Sequence, residues 1–231
     1  MNYKKLLVDS GKRMLNSGLT VATWGNISAR NPESGLVYLT PSAMDYDIIT
    51  EDDIIVCDYT GNIAEGMRKP TVETALHLSI YNKRPDINAV VHTHPIHSTV
   101  FGLLREDIPA CLDEAAQVMG DKIPVATYAL PGTPELAHNC IEALGEKRFA
   151  CLLANHGAVC TGADMDAAFK VAQVLEMTAK IYYMARCIGK PSVLKKEDIA
   201  YMFDFAINHY RQFPDAIKSA NEERDTGAPG T

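Results

Sequence analysis

The chain has no surplus of positive charge: 22 Lys and Arg stand against 29 Asp and Glu, for a net charge of −7. That balance argues against non-specific binding to nucleic acid or to an acidic membrane, and a phosphorylated ligand would need local donors. Nor is any apolar run long enough to span a bilayer. In the first segment, MNYKKLLVDSGKRMLNSG, the longest such run is Leu6, Leu7 and Val8, so it reads as an amphipathic helix rather than a signal peptide. The cysteines Cys57, Cys111, Cys140, Cys151, Cys160 and Cys187 include no Cys-x-x-Cys pair and sit in apolar or helical contexts, the pattern of reduced thiols in a cytoplasmic protein. Gly-x-x-x-x-Gly-Lys and Gly-x-Gly-x-x-Gly are both missing, which removes the main support for a nucleotide-binding fold. Repeats and low-complexity blocks are absent too, and only the tail NEERDTGAPGT has a disordered composition.

What remains is ample for a core. An apolar fraction of 47% in 231 residues suits one large domain, and no linker divides it. Short strand patterns (NISAR, LVYLT, IIVCD) follow the first helix, separated by Gly, Pro, Ser and Asn clusters. Helices and strands then alternate: TVETALHLSIYN as a helix capped by Thr71, the strand NAVVHTH, then ACLDEAAQVMG, then the strand IPVATY. Thr133 and Pro134 mark the start of another helix, because proline's missing N–H costs nothing at the first helical position. FACLLANHGAVCTG reads as two strands meeting at a turn. Asp164 can cap a long helix that buries Ala168, Val171, Leu175 and Thr178 and stops at Gly189, and a last helix occupies about 196–210. The expected architecture is a single α/β domain over 1–215, sheet with covering helices, followed by a flexible tail, 216–231.

The chemistry concentrates in AVVHTHPIH, residues 89–97. In a strand, residues two apart share a face, so His92 and His94 project together and can share one borderline metal ion before Pro95 stops the ladder. A pair of structural histidines is the plain alternative. His156 interrupts two apolar runs at Asn155-His156-Gly157, a position suited to a side chain aimed into a cleft. Glu73 falls in the first turn of its helix, where the dipole favours a carboxylate. His77 shares Glu73's helical face, but no His-Glu-x-x-His motif is present, so a metalloprotease is unsupported. His77 and His97 read as supporting or structural groups and His138 as a helix-surface residue. Three segments of small and hydroxyl residues, around Thr23, Gly25 and Asn26, around Thr40, Ser42 and Ala43, and around Lys69 and Thr71, offer donors that can gather round a phosphate.

The order and spacing of Glu73, His92-Thr-His94 and His156, preceded by TWGNISAR, LTPSAM and RKPTVE, resembles the class II zinc-dependent aldolase family, over residues 3 to 210. That resemblance implies a three-layer α/β/α fold with a central, largely antiparallel sheet. It implies that His92, His94 and His156 hold Zn2+ (Mn2+ or Co2+ being acceptable to the same donors), with Glu73 a fourth ligand that moves off to act as acid/base. It makes Thr23, Gly25, Asn26, Ser42, Ala43 and Thr71 the phosphate pocket, and it implies a homotetramer with active sites at subunit boundaries. The chain departs from the pattern twice. Val72 stands where a second hydroxyl is usual, and Asp113, followed by Glu114, stands where a tyrosine from the neighbouring subunit takes a proton. Tyr210 or His209 matches a second family tyrosine near the C-terminus.

The implied reaction is reversible cleavage of a ketose 1-phosphate, of the fuculose, ribulose or 5-deoxyribulose type, to dihydroxyacetone phosphate and an aldehyde. Glutamate at 73 separates this from the related ribulose-phosphate 4-epimerases, which carry aspartate there. Methylthioribulose-1-phosphate dehydratases and sugar-acid phosphate decarboxylases share the histidines and stay open as alternatives. A non-catalytic domain like the adducin head is more remote, because such domains usually lack the metal histidines that this chain keeps.

Overall fold

The computed structural model describes residues 1–208. Its elements run α1 (Tyr3–Asn16), β1 (Asn26–Arg30), β2 (Val37–Leu39), β3 (Ile55–Cys57), β4 (Ile63–Glu65), α2 (Thr74–Lys83), β5 (Ala89–Thr93), α3 (Ile96–Leu104), β6 (Ile108–Pro109) and α4 (Asp113–Met119). They continue β7 (Lys122–Ile123), β8 (Val125–Ala126), α5 (Pro134–Leu144), β9 (Ala150–Leu153), β10 (Gly157–Gly162), α6 (Met165–Ile188) and α7 (Lys196–Asn208). Eight strands form one sheet in the order β4-β3-β2-β1-β5-β10-β9-β8, antiparallel everywhere except between β8 and β9.

The side-chain alternation of the central strands divides the core into two layers. Ile27, Ala29, Ala89 and Val91 pack with Leu7 and Met14 of α1, Phe101 of α3 and Phe169 of α6. Val90, Cys151 and Val159 face the other way, onto Leu76, Ile80 and Tyr81 of α2 and Leu136, Cys140 and Leu144 of α5. Helices therefore cover both faces of a largely antiparallel sheet, the three-layer α/β/α arrangement. The same alternation aims His92, two residues on from Val90, at the α2 side.

Several local expectations hold. Thr133 caps α5 by accepting the Leu136 N–H, Pro134 occupies its first turn, Asp164 caps α6 through the Ala167 N–H, and Gly189 ends it. Ala168, Val171, Leu175 and Thr178 are all buried. Two expectations are corrected. Thr71 does not cap α2. Glu73 occupies the N-cap position with no side-chain bond to the helix, while Thr71 closes the preceding turn by accepting the Glu73 N–H (3.3 Å) and the Thr74 hydroxyl (2.6 Å, at its carbonyl). The strand expected in IPVATY is broken at Pro124, which has no N–H for a ladder. β7 pairs with β6 in a separate two-stranded sheet, and β8 joins the main sheet beside β9. Residues 209–231, with His209, Tyr210 and the tail 216–231, lie outside the described residues.

Candidate metal centre

β5 carries His92 into the end of the sheet, and the chain just beyond it carries His94. The turn between β9 and β10 brings His156, preceded by Asn155 in the left-handed region (φ 56°). The three rings form a nearly equilateral triangle, with centroids 4.8, 4.9 and 4.9 Å apart and edges turned to one another. One nitrogen from each lies within 4.8 Å of the others, and the Nε2 atoms of His92 and His94 are 3.0 Å apart. Glu73 closes the group. Its Oε2 is 3.1 Å from His92 Nε2 and its Oε1 3.5 Å from His156 Nε2.

The electrostatics prepare this set for a cation. Burial is the largest influence on Glu73 and opposes its charge, but His92 beside it and the Asn26 amide more than offset that and hold its carboxyl well below the usual range. Burial likewise works against a charged His92, and Glu73 outweighs it, raising His92 above the ordinary histidine value. For His94 and His156 burial dominates and the His92 charge adds to it, pushing them down to about 3 and about 4, so both are neutral and ready to donate a lone pair at pH 7. His92 Nδ1 lies 3.0 Å from the Ala158 carbonyl, to which it donates, so Nε2 is the nitrogen aimed at the centre.

Of the five buried side-chain atoms among the described residues that have no hydrogen-bond partner, two belong to this cluster: Glu73 Oε1 and His156 Nδ1. Leaving a carboxylate oxygen dry and unpaired costs on the order of 1–3 kcal/mol or more. A cation coordinated by three imidazole nitrogens and Glu73 would remove that cost for Oε1. Three nitrogens and one oxygen are also a donor set suited to zinc and acceptable to manganese or cobalt. The residues present therefore fit a divalent metal.

Glycine is required where the strands close on this cluster. A Cβ on Gly157 would sit 2.3 Å from the Thr93 carbonyl oxygen and 3.3 Å from His94 Cδ2. Gly157→Ala is expected to cost about 1–3 kcal/mol through overpacking and to loosen metal binding. Urea unfolding should show a lower midpoint at unchanged slope, and an unaltered midpoint would show that the strands yield without strain. Gly25 combines φ 74° with a Cβ position 2.6 Å from the His92 carbonyl oxygen.

The other expected site residues fall in different places. The segments around Ser42 and Thr71 lie side by side: Pro41 bridges to Pro70, and Ser42 N–H donates to the Lys69 carbonyl at 2.9 Å. Ala43 adopts φ 54° and is exposed, as is Thr23, while Thr71 is buried. Asn26 departs from a simple phosphate donor, because its amide is turned inward onto Glu73 (2.8 Å) and His77 (2.5 Å). His77 is fully buried with both nitrogens hydrogen-bonded, and His97 Nδ1 meets Glu176 at 2.7 Å. His138 is exposed beside Glu142. Asp113 and Glu114 are exposed on the first turn of α4 and have no bond to Glu73 or the three histidines within the chain.

Trp24 is the residue that the sequence reading passed over. It is 61% exposed, yet its ring is tilted against His94 at 5.8 Å. An aromatic next to a Gly-Asn pair carries no pattern that marks it. Because it is the chain's one tryptophan, titration with paramagnetic Co2+ is expected to quench the intrinsic fluorescence and to saturate at one ion per chain. Unchanged emission would place the bound ion elsewhere.

A three-layer α/β/α protein with a metal-ready pocket of three histidines and one carboxylate is thus the class that the fold and site define. The chain belongs to the class II aldolase and adducin N-terminal domain family, whose model matches residues 5–183. It is 38% identical over 193 residues to a 5-deoxy-D-ribulose 1-phosphate aldolase of Bacillus thuringiensis, covering 84% of this chain and 90% of that one. It is 37% identical over 193 residues to a 5-methylthioribulose-1-phosphate/5-deoxyribulose-1-phosphate aldolase of Rhodospirillum rubrum, covering 84% and 86%. Among solved structures, an L-fuculose 1-phosphate aldolase superposes with a TM-score of 0.85 at 40% identity, covering 87% of this chain and 94% of that one.

Proposed function

We propose that this chain is a metal-dependent aldolase that cleaves a ketose 1-phosphate reversibly to dihydroxyacetone phosphate and an aldehyde. The observation that carries the reading is Glu73, ionised and buried against three imidazoles with one oxygen unpartnered. His92, His94 and His156 would hold the ion, with zinc first and manganese or cobalt as substitutes. A bound divalent ion supplies a Lewis acid for the carbonyl and a template for the substrate oxygens. In synthesis the ionised Glu73 takes a proton from carbon, and in cleavage the form so protonated returns it to the carbon freed when the carbon–carbon bond breaks. Thr23, Gly25, Ser42, Ala43 and Thr71 bind the phosphate, while Asn26 steadies Glu73. Asp113 or Glu114 of a neighbouring copy accepts the C4 hydroxyl proton.

The names of the relatives point to two kinds of ketose substrate, a 5-deoxy or 5-methylthio ribulose 1-phosphate and L-fuculose 1-phosphate, which differ in the aldehyde released. A homotetramer is supported by Met177, Ile181, Met184 and Ile188, exposed apolar residues spaced 4, 3 and 4 apart along α6, a stripe suited to a partner helix. Sedimentation equilibrium tests it, and a single-chain mass would remove that assembly. No helix among the described residues is long and apolar enough to cross a membrane. A cytoplasmic location is supported by six free thiols, four of them buried.

The deciding experiment is a coupled assay for dihydroxyacetone phosphate on fuculose, ribulose, 5-deoxyribulose and 5-methylthioribulose 1-phosphates, with zinc-loaded and with chelated protein. Release that chelation abolishes supports the aldolase. Loss of substrate without the three-carbon product would replace it with the dehydratase or epimerase reading.

A further inference from the structure

Four buried side chains behind the metal centre form an unbroken line of hydrogen bonds that ends on Glu73. Tyr81 Oη lies 2.7 Å from Ser28 Oγ, and Ser28 Oγ 2.6 Å from His77 Nδ1. His77 Nε2 lies 2.5 Å from Asn26 Oδ1, and Asn26 Nδ2 2.8 Å from Glu73 Oε2. None of the four is more than 6% exposed, so water does not compete for these bonds. The line arises where two periodicities meet. Asn26 and Ser28, two apart on β1, face Glu73 at the N-cap of α2 and His77 and Tyr81 four and eight residues further on within it.

The direction of every bond follows from the charged end. An ionised carboxylate only accepts, so the Asn26 atom facing Glu73 is the N–H2 group and the far atom is the carbonyl. A carbonyl only accepts, so His77 Nε2 carries its hydrogen. A neutral imidazole has one such hydrogen, which leaves Nδ1 bare to accept the Ser28 hydroxyl, and the Ser28 oxygen accepts the Tyr81 hydroxyl.

We propose that His77 is a positioning residue of the metal centre. By holding its hydrogen on Nε2 it locks the Asn26 amide with N–H2 toward Glu73 Oε2, leaving Oε1 as the oxygen that Glu73 offers to the metal and to a reacting proton. This rests on the metal-dependent reading above. Its physical content is that a turned amide would set a carbonyl against the carboxylate, and His77 keeps the amide in place when Glu73 shifts.

Long-range proton–nitrogen NMR spectra of the metal-free, 15N-histidine-labelled chain read the tautomer directly, with the hydrogen of His77 expected on Nε2. In parallel, zinc affinity, the visible absorption of the Co2+-loaded protein and thermal unfolding are measured for wild type, His77→Leu, His77→Gln and Tyr81→Phe. His77→Leu is expected to weaken zinc by about 10–100-fold, to alter the cobalt spectrum and to lower kcat more than it changes KM. His77→Gln, which keeps a donor for Asn26 and an acceptor for Ser28, should return zinc affinity to within a few-fold of wild type. Tyr81→Phe, at the remote end, should leave the cobalt spectrum unchanged. A hydrogen on Nδ1, or a folded His77→Leu protein with wild-type zinc affinity and cobalt spectrum, overturns the proposal while the metal reading stands. If His77→Leu does not fold, the tautomer and His77→Gln decide alone. A wild-type chain that binds neither ion overturns the metal reading and this role together.

Discussion

Replacing Glu73 by glutamine is expected to lower kcat for ketose 1-phosphate cleavage by about 10²–10⁴-fold, the range for losing a positioned acid or base. The effect is large because no other carboxylate among the described residues approaches the three histidines. Glutamine keeps the size of the side chain and an oxygen that can accept from Asn26, but it cannot carry a proton to or from carbon. Zinc content should fall less than activity, since three imidazoles remain. Steady-state kinetics and metal analysis of the same preparation make the test. A variant retaining more than a tenth of the wild-type rate with full zinc would take the proton-transfer role away from Glu73.

The second large effect is expected at His92. It has no exposed surface, donates from Nδ1 to Ala158, and sits against Glu73 and both other imidazoles. His92→Ala removes a proposed metal ligand and also the group that keeps a buried carboxylate charged. Deleting one partner of a buried pair costs about 3–5 kcal/mol in the metal-free protein. Zinc affinity should fall beyond the roughly 10–100-fold typical of groups that only support a ligand. Competition against a chromogenic chelator and urea unfolding of the metal-free protein read the two losses separately. Retention of zinc at wild-type affinity would exclude His92 as a ligand. His94 is more exposed than His92, so His94→Ala should cost metal with a smaller loss of stability.

Much of the site was legible because its signals are local. His92 and His94 lie two apart at the end of an apolar run, the spacing that puts side chains on one face of a strand, although β5 itself ends at Thr93. His156 breaks two such runs and lands on the turn between the strands they form. Thr133, Pro134 and Asp164 announced their helices because caps satisfy backbone groups within four residues of themselves. Thr71 misled for the same reason, since a hydroxyl before a helix pattern serves equally well in the turn that precedes the cap. Pro124 was hidden inside an otherwise consistent strand pattern.

The sequence by itself determined the alternation of strands and helices, the apolar faces that pair them, and the residue types able to hold a cation, because each depends on neighbours along the chain. Only the tertiary structure decided that Asn26 turns inward to Glu73, that His77 supports the centre through Asn26, and that Trp24 flanks His94. Those contacts depend on where β1 lies relative to α2 and β5, elements joined by long connections. Sheet order sets that placement, through the burial of both faces at once. The charge on Glu73 was decided there as well, since burial and His92 oppose each other and only their distances say which wins.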